Sequence, residues 1–491
     1  LPDTILFPGE IALITKNSSS FGKFGLPKWI GCSGFPSLNN DGDYLSIKNQ
    51  KSQIISEIQY TNKWHSAIWK KNGGWSLERM DSALWCIDEG NWTSAAANGG
   101  SPGRRNTAVK TIKPQKFKLL RTYCPDSMHI RLLFNYPVAN ALINNLRFFF
   151  FKESGEYPSQ ITISNNQIVL EFAKRFLPNV VYHLKVDSVQ SCFGDAVLTA
   201  EVPFGFAYVT VDSAQVTLNE ILFDPFADES DFVEIVNISN RIVDLKSLKI
   251  ANADDNGNIK TVTEVFAAGY DLFPGNYVAL TTDMCNTIRR YAQTDSQSVL
   301  EVSALPVFPN DKGHAILLNK TGTVLDKMQY NQNMHSAIVS NSEGISLEKI
   351  NPMLNSSVAN NWTSASSVSG FGTPGKINSQ FKDTTNYKNK FALEENWISP
   401  DNDGDHDLLH CNYFLDKPGY ILNAKLFAEN GSSVCTVYNQ LMLNQSGELY
   451  WNGSCETNLL NPGNYILFVE LFHPAGNVMH RKLTFSILAK T

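Results

Sequence analysis

Asn91-Trp92-Thr93-Ser94-Ala95 returns 270 residues later as Asn361-Trp362-Thr363-Ser364-Ala365. At the same offset His65-Ser66-Ala67-Ile68 becomes His335-Ser336-Ala337-Ile338, and Ser76-Leu77-Glu78-Arg79 becomes Ser346-Leu347-Glu348-Lys349. With small indels the match extends from Leu6-Phe7-Pro8-Gly9 to Leu272-Phe273-Pro274-Gly275, and from Ser101-Pro102-Gly103 to Thr373-Pro374-Gly375. Spacing is kept as well as wording, so the chain carries one fold twice. A duplicated unit without an evident catalytic set points to a modular scaffold or binding protein.

At 491 residues the chain exceeds what one hydrophobic core serves, so several domains are expected. Hydrophobic residues at 43% exclude wholesale disorder. The formal charge of -6 argues against nucleic-acid binding by the whole chain, which needs a basic face. No apolar run reaches membrane-spanning length; Leu146 to Phe151 is too short and reads as a buried strand.

Short alternating stretches between Gly, Pro, Asn and Asp turns give an all-β chain, a tandem array of sandwich domains. Residues 1–109 hold the first copy, lacking its front, and 110–212 a small sandwich in which Met128, Ile130, Leu132 and Phe134 alternate with more polar neighbours. Residues 213–380 hold the complete second copy and 388–491 a last β-sandwich. No long capped amphipathic helix is read anywhere. The second copy opens with Leu218-Asn219-Glu220-Ile221-Leu222, whereas only five residues precede Leu6 in the first. The opening strands of the first copy are therefore expected to be missing and the polypeptide to extend upstream, where a signal or lipid anchor would sit. An incomplete sandwich has an open sheet edge, which invites strand addition.

Leu218 to Leu222, Asp231-Phe232-Val233-Glu234-Ile235-Val236-Asn237, Asp244-Leu245, Leu272 to Gly275, Gly344 to Glu348 and Gly372 to Gly375 follow one another in an order that resembles lamin tail domains of Bacteroidota surface proteins. The first copy matches the later half of that pattern. The middle domain resembles the Ig-like module of surface-layer proteins, through Phe134 to Val138 and Tyr182 to Val186. The last resembles the Ig-like fold of flagellar hook-capping proteins, through Ile398 to Asp405, Pro418-Gly419, Trp451-Asn452-Gly453 and Pro462 to Tyr465. The resemblance implies an Ig-like fold without a known catalytic centre, on a secreted or tethered protein.

His65 and His335, with Glu78 and Glu348 at matching separations downstream, admit a catalytic pairing in both copies. The plainer reading makes them hydrogen bonds of the repeat's framework, and no catalytic residue is assigned. Trp64, Trp69, Trp75 and Trp85 belong to the first copy alone and form a candidate aromatic partner site for a protein or a glycan, whereas Trp92 and Trp362 read as core anchors. Asp401, Asp403 and Asp405 alternate as hard-cation ligands would, making Ca²⁺ the one candidate cofactor; an Asp/Asn-rich turn is the alternative. Cys124 with Cys192, and Cys435 with Cys455, are candidate disulfides in an oxidising compartment or else buried thiols. Asp-Ser-small triplets such as Asp126-Ser127-Met128 and Asp212-Ser213-Ala214 resemble an O-glycosylation pattern of exported proteins. Phosphate loops, GxSxG and HExxH are absent from the sequence.

These features lead to a non-catalytic extracytoplasmic scaffold or binding protein at a Gram-negative cell surface, fitting a subunit of an outer-membrane complex. Its partners are then proteins or glycans, with membrane association only through an upstream anchor or a partner. The rival expectation is the accessory portion of a secreted hydrolase whose catalytic domain lies upstream.

Overall fold

The computed structural model describes residues 4–16, 28–86, 90–112, 116–139, 145–197, 199–207, 211–212, 215–382, 388–456 and 458–488, the side chain of Ile68 apart. Ser213 of the Asp-Ser-small triplets thus lies outside the described residues. The chain divides into two compact units, one of residues 1–120, 132–171 and 185–201, the other of residues 121–131, 172–184 and 202–491. Strands dominate both, and the fold is an all-β array. Among the described residues the one α-helix is Met284–Arg290, capped by the Asp283 side chain accepting the Asn286 N–H.

In the second unit, Val216–Leu222 is buried along its whole length. Such a strand must be central, with both faces covered. Its six-stranded sheet runs Val299–Glu301, Tyr277–Thr281, Phe232–Asn237, Val216–Leu222, Leu347–Lys349, Trp362–Ser364. A four-stranded sheet of Leu248–Ala253, Ile259–Glu264, Lys312–Asn319 and Val324–Asn331 supplies further walls of the same core. Val216, Leu218, Ile221, Val233, Ile235, Leu317, Met328, Tyr330, Leu347 and Trp362 meet in that core. A β-bulge between Leu218 and Glu220 makes Asn219 the extra residue. It keeps Leu218 and Ile221 on the core face and turns two successive polar residues, Asn219 and Glu220, to the other.

The last domain of this unit has a three-stranded sheet, Lys390–Leu393, Leu409–Phe414 and Ser446–Trp451, and a five-stranded one built around Ile421–Ala428 and Gly463–Phe472. Their inward residues, including Tyr413, Leu422, Leu426, Val469 and Leu471, form one core.

In the first unit the hairpin Gly42–Lys48 with Ile54–Thr61 has the register of Lys312–Asn319 with Val324–Asn331, residue for residue. Gly42 faces Thr61 as Lys312 faces Asn331, and both hairpins shift register just before Lys48 and Leu318. Leu77–Arg79 pairs with Trp92–Ser94 as Leu347–Lys349 does with Trp362–Ser364. Leu13–Thr15 runs parallel to Trp29–Gly31, as Tyr277–Thr281 does to Val299–Glu301. Phe149 and Phe151 of the Phe run are buried on a short strand, as alternation requires. The strand Gln160–Ser164 folds back on Gln167–Glu171 through the turn at Asn165-Asn166. Leu119–Tyr123, His129–Phe134, Tyr182–Val186 and Ala200–Phe204 cross boundaries between the units and belong in part to each.

The cysteine expectation is corrected in part. Cys192 is bonded to Cys86, not to Cys124. Cys124 is a buried thiol whose backbone N–H donates to the buried Asp271 carboxylate at 2.6 Å, and burial pushes that thiol's pKa up. A cysteine in such surroundings behaves as a small hydrophobe. Cys435 is bonded to Cys455.

Candidate functional site

Asn91 and Ser94 have the same tasks in the first copy as Asn361 and Ser364 in the second. Asn91 clamps a loop by donating to the Asp81 carbonyl at 2.8 Å and accepting its N–H; Asn361 does so with Asn351 at 2.9 and 3.0 Å. Ser94 Oγ accepts the Ser66 N–H and lies 2.9 Å from His65 Nδ1, and Ser364 stands likewise to Ser336 and His335. Ala95 and Ala365 are fully buried. Burial depresses the pKa of His65, and that of His335 to about 4, so both rings are neutral at pH 7.

Neither histidine pairs with the downstream glutamate. Glu78 accepts from Ser101 Oγ at 2.5 Å, from the Thr107 N–H and hydroxyl at 2.7 and 2.8 Å, and from the Ala108 N–H at 3.0 Å. Glu348 accepts from Thr373 Oγ1 at 2.8 Å, Ser379 Oγ at 2.7 Å and the Gln380 N–H at 2.8 Å. The glutamate therefore pins the segment that crosses the sheet after the Pro-Gly turn. Thr107 and Ala108, at the end of the first copy, belong to this clamp.

In the second copy the clamp has three carboxyls side by side. Glu234, Glu220 and Glu348 are register partners on adjacent strands and all are buried. Glu220 accepts from Ser346 Oγ and the Thr373 N–H, and Glu234 from Asn219 Nδ2 and the Gly375 N–H. Gly375 is required for this crossing: its φ is +84°, and a Cβ would come within 2.8 Å of the Asp295 carbonyl. Burial raises all three carboxyls, Glu220 and Glu234 further through neighbouring carboxylates. Burial also raises Glu78, but its hydrogen bonds outweigh that and hold it below the ordinary value. Lys349 is buried nearby, donating to Thr217 and Ser356 at 2.6 and 2.7 Å, with its pKa lowered by burial to about 8. The sequence reading missed Glu220 and Glu234. Their signal was a glutamate set inside an apolar strand in each of Leu218–Leu222, Phe232–Val236 and Leu347–Lys349.

Among the described residues, the four tryptophans of the candidate partner site make two ring contacts. Trp64 stacks on Trp92 at 6.4 Å, with Arg79 over the Trp92 ring at 5.0 Å. Trp69 meets Trp75 edge-on at 5.2 Å, and Lys70 lies 4.2 Å from the Trp75 centroid. Trp85, 64% exposed, stands beside the bonded Cys86. Between the first two groups lies a hollow of about 660 Å³ lined by Leu45, Ile58, Tyr60, His65, Trp75, Leu77 and Trp92, among others.

At the acidic loop the carboxylates that converge are Asp401, Asp403 and Asp407, within 4.8 Å of one another; Asp407 takes the place expected for Asp405. Asp405 lies 2.7 Å from His406 instead. The set consists of hard oxygen donors, suited to Ca²⁺ rather than to a transition metal. Asp407 also accepts the Asn402 and Gly404 N–H groups, which helps tie the turn together.

Fold and site together describe an all-β array whose repeated polar residues serve the framework. Residues 210–332 match the lamin tail domain family. No curated protein matches the chain. Solved structures similar to it include the N-terminal part of the bacterial S-layer protein SbsC (16% identity, TM-score 0.19, covering 33% of this chain and 44% of that one). A DUF4876 family protein from Bacteroides thetaiotaomicron is similar at 11% identity and TM-score 0.21, over 41% and 81% of the two chains. Dimeric latent PorU from Porphyromonas gingivalis is similar at 8% and 0.17, over 91% and 40%. The chain thus spans less than half of the first of these.

Proposed function

We propose that this protein is a non-catalytic, extracytoplasmic scaffold or binding protein at a bacterial cell surface. In this reading the first copy is a lamin tail sandwich like the second, and it presents the partner surface. The observation that carries the reading is the common fate of the repeated polar groups. His65 and His335 are held by serines, and Glu78 and Glu348 by the crossing segment. General acid–base or nucleophilic work needs a group free to reach a substrate, and these are engaged in holding the fold. Two disulfides support an oxidising compartment.

The test is protease shaving of intact cells expressing the native gene, followed by pull-down from solubilised outer membranes. The expected result is cleavage from outside and recovery with a stoichiometric partner. Protection inside intact cells, or recovery as a lone monomer with reduced cysteines, would sink the proposal.

A further inference from the structure

The segment that the carboxyl row pins also holds the last domain. Glu348 fastens Ser379 and Gln380 from one side. On the other, the Gln380 side chain donates to the Leu443 carbonyl at 2.9 Å and accepts the Gly419 N–H at 2.7 Å. The Ser379 carbonyl accepts the Gln445 N–H at 3.2 Å, and Ser367 Oγ accepts the Met442 N–H at 2.8 Å. Both sandwiches belong to one compact unit, and these bonds fix the last domain against the second copy. Beside them lies a cavity of about 410 Å³ lined from both domains. Lys376 and Ile377 come from the crossing segment, and Phe414, Asn444, Gln445 and Ser446 from the last domain. Small-molecule sites are commonly built at such junctions, and this volume lies in their usual range.

Two neighbouring amides at this cavity are only half spent. Gln445 is 7% exposed; its Nε2 donates to the Leu415 carbonyl at 3.3 Å, and its Oε1 accepts no hydrogen bond from the described residues. Asn444 Oδ1 accepts the Ser366 and Ser369 hydroxyls, the latter at 3.0 Å, while its Nδ2 donates to none of the described residues. One carbonyl acceptor and one NH₂ donor thus stay open side by side. A buried carbonyl without a donor is costly, and a ligand N–H removes that cost. Ser446 adds a hydroxyl, and Phe414 and Ile377, 44% and 52% exposed, add an apolar flank.

The lining rules out several ligand classes. Among its described residues only Lys376 is charged. Without a carboxylate the cavity does not suit a divalent cation, and one exposed lysine lacks the paired, forked donors that hold phosphate. A wholly apolar ligand would leave Gln445 Oε1 unpaired. A peptide adding as a strand needs an open backbone edge. Here the Gln445 N–H and carbonyl are taken by Ser379 and Leu415, and Phe414 is flanked on both sides by Lys390 and Ser446. We propose that the cavity binds a neutral saccharide carrying an acetamido group, an N-acetylhexosamine. The acetamido carbonyl accepts from Asn444 Nδ2 and its N–H donates to Gln445 Oε1. A ring hydroxyl meets Ser446, and the C–H face and acetyl methyl lie on Phe414 and Ile377. The site stands apart from the partner surface of the first copy, so its failure would leave that reading untouched.

The experiment titrates the full chain with N,N′-diacetylchitobiose, followed by calorimetry and by saturation-transfer NMR. The expected result is saturable one-to-one binding with the strongest transfer at the acetyl methyls. Cellobiose, which lacks the acetamido group, should bind roughly tenfold more weakly. Asn444→Asp keeps the acceptor for Ser369 and removes the N–H donors, and should weaken chitobiose binding by about tenfold. Phe414→Ala, at an exposed position, should do the same and keeps the test open if Asn444→Asp fails to fold. Lys376→Ala takes away only a charge and should leave binding within about twofold. Absence of saturable binding overturns the proposal, as does binding that Phe414→Ala leaves intact or that cellobiose matches. Loss of binding in Lys376→Ala would overturn the neutral ligand, and equal competition by N-acetylalanine amide would replace the sugar with a peptide.

Discussion

Glu220 and Glu348 lie opposite each other on adjacent antiparallel strands, and the single hydroxyl of Thr373 touches both, at 3.2 and 2.8 Å. A hydroxyl has one proton to donate. Glu348, the nearer acceptor, takes the stronger bond, and burial beside Glu348 favours a proton on Glu220. The arrangement is a short chain from the Glu220 carboxyl through Thr373 to Glu348, closed against water by the crossing segment.

That proton makes stability pH-dependent. Glu220 has a folded pKa raised to about 8 from 4.5, through burial and Glu348. A raised acid contributes stability that is full below the unfolded value and lost as pH rises through the folded one. His335, depressed to about 4, acts oppositely below its ordinary value of 6.5, so the window to read is pH 6.5–8. Melting temperature should fall across that window in wild type, and less steeply in Glu220→Gln, which keeps a neutral donor beside Thr373. Parallel slopes would refute the shared proton.

Thr373→Val keeps the shape and removes the bridge. Two buried carboxyls then lose a donor, which typically costs about 1–3 kcal/mol. Urea unfolding of the second unit should show this loss, with exchange quickening along residues 373–380.

The duplicated His–Ser clamp gives a paired comparison. Ser364→Ala leaves His335 Nδ1 buried without its partner and should destabilise by about 1–3 kcal/mol. Ser94→Ala should cost less, because half-buried His65 can turn to water. Equal losses by denaturant titration would mean that the first copy is as well covered as the second.

Peptide mapping under non-reducing conditions should join the Cys86 and Cys192 peptides, and leave Cys124 to be alkylated only after unfolding. The bond closes a loop with a sequence separation of 106, for which chain entropy gives about 4–5 kcal/mol against unfolding. Cys86→Ser should lower the melting temperature of the first unit and leave the second unchanged.

Much of the architecture was legible because strand burial is a local property. Alternation at Ile130, Leu132 and Phe134 and the five-residue phrases at Asn91 and Asn361 mark strands and repeats without knowledge of their partners. The site was less legible. Asp405 and Asp407 are equally plausible ligands in one dimension, and only the turn of the loop selects Asp407. Cys124 and Cys192 looked paired because they flank one candidate domain, a matter of sequence distance and not of space.

The sequence by itself determined the all-β class, the duplication, and the residues that recur at fixed spacing, since these depend on a two-residue period and on repetition. Tertiary structure alone decided what those residues meet. A bulge after Leu218 turned Glu220 away from the core and beside Glu348, 128 positions on. Register across distant strands, set by how both sheet faces are covered, made one copy's glutamate part of a buried carboxyl row. In the other copy Glu78 accepts instead from Ser101, Thr107 and Ala108.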